Sequence, residues 1–305
     1  MTRSVLVRSR LVRGSLAVLA LLTAGASSVA RADDEVPNGS QPLAYSARPL
    51  TLPTLTLAPS VEGIVDKLST ATAANIYKQN PKNLNVSLAI GASMGILENL
   101  EIGAVFAPLQ VLPKVAYGDP GAHVTFRFVK GGFELAGYFG ATFITGTGVD
   151  PQLVLPVLNE SAGIVLQPGL LSRIHMGGRA KLDIGATVPI QLGSGVHDLG
   201  LNVPVELAFN LLESFHIGAN SGVGIQNVKD PALTSYVPLG ILAGFTIGGE
   251  KPIVDIGALF NLPQFFNPGV KSASAGTATT PATNSTIDVQ DFQAGLAVTA
   301  FLYFL

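Results

Sequence analysis

The feature that most restricts what this chain can fold into is a two-residue hydrophobic alternation that recurs between short turns. It is clearest at residues 180–192, where Ala180, Leu182, Ile184, Ala186, Val188, Ile190 and Leu192 alternate with Lys181, Asp183, Gly185, Thr187, Pro189 and Gln191. Successive side chains of an extended strand point to opposite faces, so this spacing makes a strand with one apolar and one polar or small face. A five-residue layout repeats within the pattern: Leu-Glu-Ile-Gly-Ala at 100–104, Leu-Asp-Ile-Gly-Ala at 182–186, Phe-His-Ile-Gly-Ala at 215–219 and Val-Asp-Ile-Gly-Ala at 254–258, with a looser copy at 133–137. Each copy follows a short turn and another alternating segment, so the chain is a succession of β-hairpins.

Composition decides what surrounds the hairpins. Hydrophobic residues make up 48% of the chain and charged residues 12%, whereas a soluble surface is charged over roughly a quarter or more of its residues. Glu, Asn, Gln, Gly or Pro interrupts every apolar run after the N-terminus, which disfavours membrane-spanning helices. A closed transmembrane barrel satisfies every backbone group without an exposed edge and accommodates both facts. The N-terminus has the layout of a secretory signal peptide over 1–32: basic Arg3, Arg8, Arg10 and Arg13, an apolar run at 16–24, and Ala30-Arg31-Ala32 before Asp33. Its removal takes away five arginines and no acid, moving the formal charge from −2 to −7. The absence of cysteine excludes disulfides, thiolate zinc sites, a lipidated N-terminal Cys and Cys nucleophiles.

The expected organisation is a flexible periplasmic lead at 33–48 and a barrel over 49–305. A first strand lies within 50–58. Val61, Ile64, Val65, Leu68 and Ala71 fall at helical spacing, which gives a short helix at 60–78 in the first loop or the barrel mouth. Further strands are expected at about 84–95, 100–112, 122–129, 133–145, 163–174, 180–192, 199–210, 215–227, 236–247 and 253–262, with a last one from about 290. That is an all-β, antiparallel, up-and-down barrel of about twelve strands. Its connections alternate short and long, as periplasmic turns and outer loops do in such barrels.

The chain resembles a bacterial outer-membrane β-barrel protein, porin-like in general form. Its sharpest motif is the C-terminal alternation of Phe292, Ala294, Leu296, Val298, Ala300, Leu302 and Phe304. The resemblance implies location in the outer membrane, contact with lipid, and recognition of the last strand (Leu302 and Phe304 at its end) by the outer-membrane insertion machinery. It specifies architecture and leaves the solute open.

Outward phenylalanines fall into two sets, Phe128, Phe133, Phe209, Phe215, Phe245 and Phe304 beside the short turns, and Phe106, Phe139, Phe143, Phe260 and Phe292 nearer the long loops. They fit aromatic girdles at the two membrane interfaces. The inward face is dominated by Ser, Ala, Gly and Asn. Its charges gather near the short-turn end: Glu101, Arg127, Glu134, Arg173, Arg179, Lys181, Asp183, Glu206 and Asp255, with His216 beside them. Such a ring either sets the ion preference of a pore or forms a salt-bridge network that braces a closed barrel. A pore predicts an open section through Arg127, Arg179, Asp183 and Glu206; a closed barrel predicts those side chains paired. No metal, nucleotide-binding or catalytic signature is present: His123, His175, His197 and His216 lie outside any H-E-x-x-H pattern, and nothing joins His216, Asp255 and Ser221 as a triad. No cofactor is expected, and an acidic mature chain without a basic patch is no nucleic-acid binder. The function expected is passive passage of small hydrophilic solutes or ions. The alternatives are a structural or surface-interaction barrel acting through loops 146–162 and 263–289 and, last, an outer-membrane enzyme.

Overall fold

A computed structural model of the chain describes residues 44–67, 85–112, 115–144, 163–193, 196–225, 227–228, 235–248, 253–267, 286–287 and 292–303. The signal sequence, residues 33–43 of the lead, Phe304, loop 146–162 and most of loop 263–289 lie outside the described residues. Twelve antiparallel strands close into a barrel. They are β1 (Thr56–Lys67), β2 (Asn85–Leu97), β3 (Leu100–Leu112), β4 (Gly121–Val129), β5 (Phe133–Ile144), β6 (Gly163–Met176), β7 (Ala180–Thr187), β8 (Leu201–Leu212), β9 (Phe215–Ile225), β10 (Ser235–Gly248), β11 (Ile253–Asn267) and β12 (Phe292–Tyr303). Each pairs with its neighbours in sequence, and β1 closes on β12 from Thr56↔Tyr303 to Lys67↔Phe292. No backbone edge is left along the seam, which a bilayer requires.

The hydrophobic alternation sets the faces. Phe126 and Phe128 point out at 47% and 49% exposure, while Arg127 between them is buried inside. Phe106, Phe133, Phe139, Phe143, Phe209, Phe245 and Phe260 are likewise exposed on the outside, and Phe215 packs on Phe245 with ring centroids 4.7 Å apart. These rings face lipid and need no protein core behind them. Short turns join β2–β3, β4–β5, β6–β7 and β8–β9. Gly177 and Gly178 close the β6–β7 turn with φ of 63° and 71°, a backbone that glycine adopts without steric cost.

The first strand departs from the expectation. It starts at Thr56 rather than near residue 50, and residues 60–67, read above as the start of a helix, continue it. Val61 and Val65 fit a two-residue period as well as a helical one. Pairing on both sides, Val61↔Ile90 on β2 and Val61↔Val298 on β12, decides between them, because a helix here would leave the barrel open. Residues 68–78 of the expected helix lie outside the described residues. The strand read at 180–192 is broken at Val188-Pro189, where proline offers no ladder donor. The chain resumes as Ile190–Gly193 against β6 and folds back through Val196–Leu199. β11 runs five residues beyond its expected end, to Asn267.

Candidate functional site at the periplasmic mouth

Residues 44–55, AYSARPLTLPTL, carry two prolines that supply no backbone donor and hold their predecessors extended. Apart from one 3-10 turn at Tyr45–Ala47, such a segment cannot satisfy its own backbone. The structure places it inside the short-turn end of the barrel as a strap, so residues 44–48 are docked rather than a flexible lead, and 50–55 are not strand.

The strap begins against β8 and the β6–β7 turn. Ser46 N–H donates to Asn210 Oδ1 at 2.8 Å and Ser46 Oγ to the Gly178 carbonyl at 3.0 Å. Tyr45 Oη donates to Glu206 Oε1 at 3.0 Å, and His175 Nδ1 lies 2.8 Å from the Ser46 carbonyl. Further along, Arg48 reaches sideways to β10 and β11, donating to Thr246 Oγ1 at 2.9 Å and through both terminal nitrogens to the Asp255 carboxylate. From the other side Arg173 Nη1 donates to the carbonyls of Arg48 and Pro49 at 2.6 and 2.9 Å. Leu50 N–H donates to Glu134 at 2.7 Å and Leu52 N–H to Glu101 at 2.8 Å. Thr51 Oγ1 donates to the Glu98 carbonyl at 3.0 Å, and Leu55 N–H to the Gly95 carbonyl at 2.7 Å. Leu55 turns into β1 with a φ of 56°, unusual for a branched residue. In a ring of twelve strands β7 and β8 stand opposite β1 and β2, so the strap crosses the mouth. Leu52 closes its far end in an apolar cluster with Ala58, Ile253 and Phe301.

The predicted charge ring grips this strap. Arg127 pairs with Glu134 at 2.8 Å, and Arg173 with Asp183 at 2.6 Å. Lys181, 1% exposed, contacts Asp183 at 2.8 Å and Glu206 at 3.1 Å, with its ammonium 3.7 Å from the Tyr45 ring centroid. Glu101 lies 3.5 Å from His123, and His216 stacks on Tyr45 at 4.1 Å. Burial pushes the Tyr45 phenol above its usual range, with Lys181 opposing, so it stays a protonated donor to Glu206. The structure brings all the predicted ring residues together except Arg179. That residue lies exposed in the turn before β7; its alternation phase matches Lys181, but the strand has not yet begun. Arg127, Asp183 and Glu206 are paired rather than arrayed around an open section. Leu302 faces outward at 38% exposure, beside lipid.

Sequence reasoning missed Tyr45, Ser46, Arg48 and His175. One signal pointed to Arg48: without Arg179, the ring holds Glu101, Glu134, Asp183, Glu206 and Asp255 against Arg127, Arg173 and Lys181 only. Arg48 supplies one missing charge, and the strap's N–H groups serve Glu101 and Glu134. Ser221 does not join His216 and Asp255; it donates to the Pro238 carbonyl from the opposite face of β9. Among the described residues no group of three or more His, Cys, Asp or Glu is placed to hold a metal.

The inward glycines serve the wall. A Cβ on Gly244 would meet His216 at 2.5 Å, and one on Gly140 would meet Tyr138 Oη at 2.8 Å; His123 similarly lies over Gly103, Tyr236 over Gly224 and Asn220 over Gly240. Tyr138 thus lies over a glycine two residues along its own strand, and the other four side chains lie over a glycine of a neighbouring strand. Gly257 differs, since a Cβ there would meet nothing within 4 Å.

No protein-family model matches the chain, and no curated protein matches it in sequence. Its fold is similar to that of the NanC porin, with a TM-score of 0.50, 8% identity, and 81% of this chain and 100% of that one covered. An outer-membrane channel from Pseudomonas putida F1 aligns with a TM-score of 0.45 at 11% identity over 88% of this chain and 100% of that one. A KdgM porin in complex with disordered oligogalacturonate aligns with a TM-score of 0.44 at 7% identity over 82% and 99%. The chain has the outer-membrane β-barrel fold.

Proposed function

We propose that the protein is a passive outer-membrane channel for small hydrophilic solutes or ions, with its periplasmic mouth closed by its own N-terminal strap. The observation that carries this reading is what the charge ring holds. Besides ion pairs between neighbouring strands, its members bond the backbone and side chains of residues 45–52, and no described pair joins them across the bore. A mouth that accommodates a polypeptide is wide enough for a small solute once that polypeptide leaves. Most of the contacts are hydrogen bonds and ion pairs, which water can replace; apolar surface is contributed by Leu52 and the Tyr45 ring. In this account the leader at 1–32 is removed on export, and the terminal strand through Leu302 and Phe304 is what the insertion machinery engages.

A second reading, a closed barrel acting through its outer loops, is favoured by the same pairing if the strap never leaves. Planar-bilayer recordings of the full chain separate the two. The channel reading expects discrete conductance steps, larger or more frequent when Arg48→Ala loosens the strap. Silence from a folded, inserted barrel in both forms would leave the closed reading.

A further inference from the structure

Every described charged side chain that faces the lumen at the mouth has a partner. Glu62, on β1 above the strap, has none among the described residues. Its direction follows from the alternation: Val61 faces lipid at 45% exposure and Ile64 is buried inside at 4%, so Glu62 points into the barrel. Its register neighbours are Ala89 on β2 and Ala297 on β12, too small to cover it and unable to pair with it. The next residue in that row is Gly257 on β11, the wall position with open space above it.

We infer that Glu62 is a cation-binding position in the lumen, and that the open channel favours cations and positively charged solutes over anions. This rests on the channel reading above. A carboxylate cannot stay ionised in a dry membrane interior without a partner, since its desolvation costs many kcal/mol. Every other described lumen acid solves that problem with a fixed protein donor. For Glu62 the open space beside Gly257 admits water and a mobile counter-ion. The nearest strap cation, Arg48, is already held by Asp255, two residues nearer the mouth than Gly257. The ring adds no positive surplus, because its five carboxylates face Arg48, Arg127, Arg173 and Lys181. A fixed negative charge without a protein partner in a bore concentrates cations and repels anions.

The test is the reversal potential in a KCl gradient across a planar bilayer, for the full chain and for Glu62→Gln and Glu62→Lys, each also in the Arg48→Ala background. Glu62→Gln preserves shape, and a heat-modifiable shift on gels establishes that each variant is folded. The K⁺ over Cl⁻ permeability ratio should fall roughly fivefold in Glu62→Gln and invert in Glu62→Lys. Conducting barrels with the same ratio in all three forms would overturn the assignment and leave the channel reading standing. Absence of current in both backgrounds would overturn both.

Discussion

The two levels of the lumen solve the problem of polar groups inside a membrane in opposite ways. At the mouth, the described charges that face the lumen are numerous and each is fixed by a protein partner: Lys181 by Asp183, Glu206 and the Tyr45 ring, Arg173 by Asp183 and two strap carbonyls. Higher up, the register neighbours of Glu62 are Ala89 and Ala297, with Gly257 next to Ala297, and Glu62 has no fixed partner among the described residues. Charge density by itself therefore does not mark the selective part of this barrel. A satisfied charge is scaffold; the unsatisfied one, in a place with room beside it, is available to a solute.

Substitutions that damage the mouth should be costly, and the same kinds of change higher up should be mild. The largest expected effect is Arg173→Ala, which leaves Asp183 short of a donor and frees two strap carbonyls. Breaking a buried pair of this kind costs about 3–5 kcal/mol, visible as a lower unfolding temperature and faster protease cleavage within 44–55. A glycine pair sharpens the contrast. Gly95→Ala places a methyl against the Pro53 and Leu52 carbonyls, so the strap must shift where it enters β1; Gly257→Ala meets nothing within 4 Å. Protease access to the strap should rise in the first, while stability in the second should stay within about 0.5 kcal/mol of wild type. Equal behaviour of the two would erase the distinction between the levels.

Smaller effects follow. Tyr45→Phe keeps the stack on His216 but loses the bond to Glu206, for about 1 kcal/mol. The raised Tyr45 pKa has a sign of its own. The docked strap keeps the phenol protonated, so its contribution is complete below the ordinary tyrosine pKa of about 10 and is lost as pH rises beyond that. Strap cleavage should accelerate at alkaline pH in wild type and lose that component in Tyr45→Phe. Lys130→Ala is the smallest. Its pair with Glu98 is exposed, and although Lys130 holds the Glu98 carboxyl below its ordinary range, such pairs contribute about 0–1 kcal/mol. The strap contact at that turn uses the Glu98 backbone carbonyl instead.

The barrel was legible because lipid outside and a bore inside write a two-residue code into each strand; β3 spans the residues 100–112 expected of it. The code fails where two periods coincide, as at Val61, Ile64 and Val65, and that ambiguity hid Glu62. It also runs past the end of a strand, which is why Arg179 was counted with Lys181. The strap was illegible for a different reason. Its partners are spread from Gly95 on β2 to Asp255 on β11, so nothing within 44–55 reveals them. Only the acid surplus of the ring hinted at a missing cation.

The most direct test of the central claim is to fix the strap in place. The chain has no cysteine, so Ser46→Cys with Asn210→Cys introduces one disulfide between two residues already in hydrogen-bond contact. The oxidised barrel should be silent in a planar bilayer, and reductant should restore the steps of the unlinked chain. Equal conductance before and after reduction, with the cross-link verified by mass, would mean that the strap does not close the path.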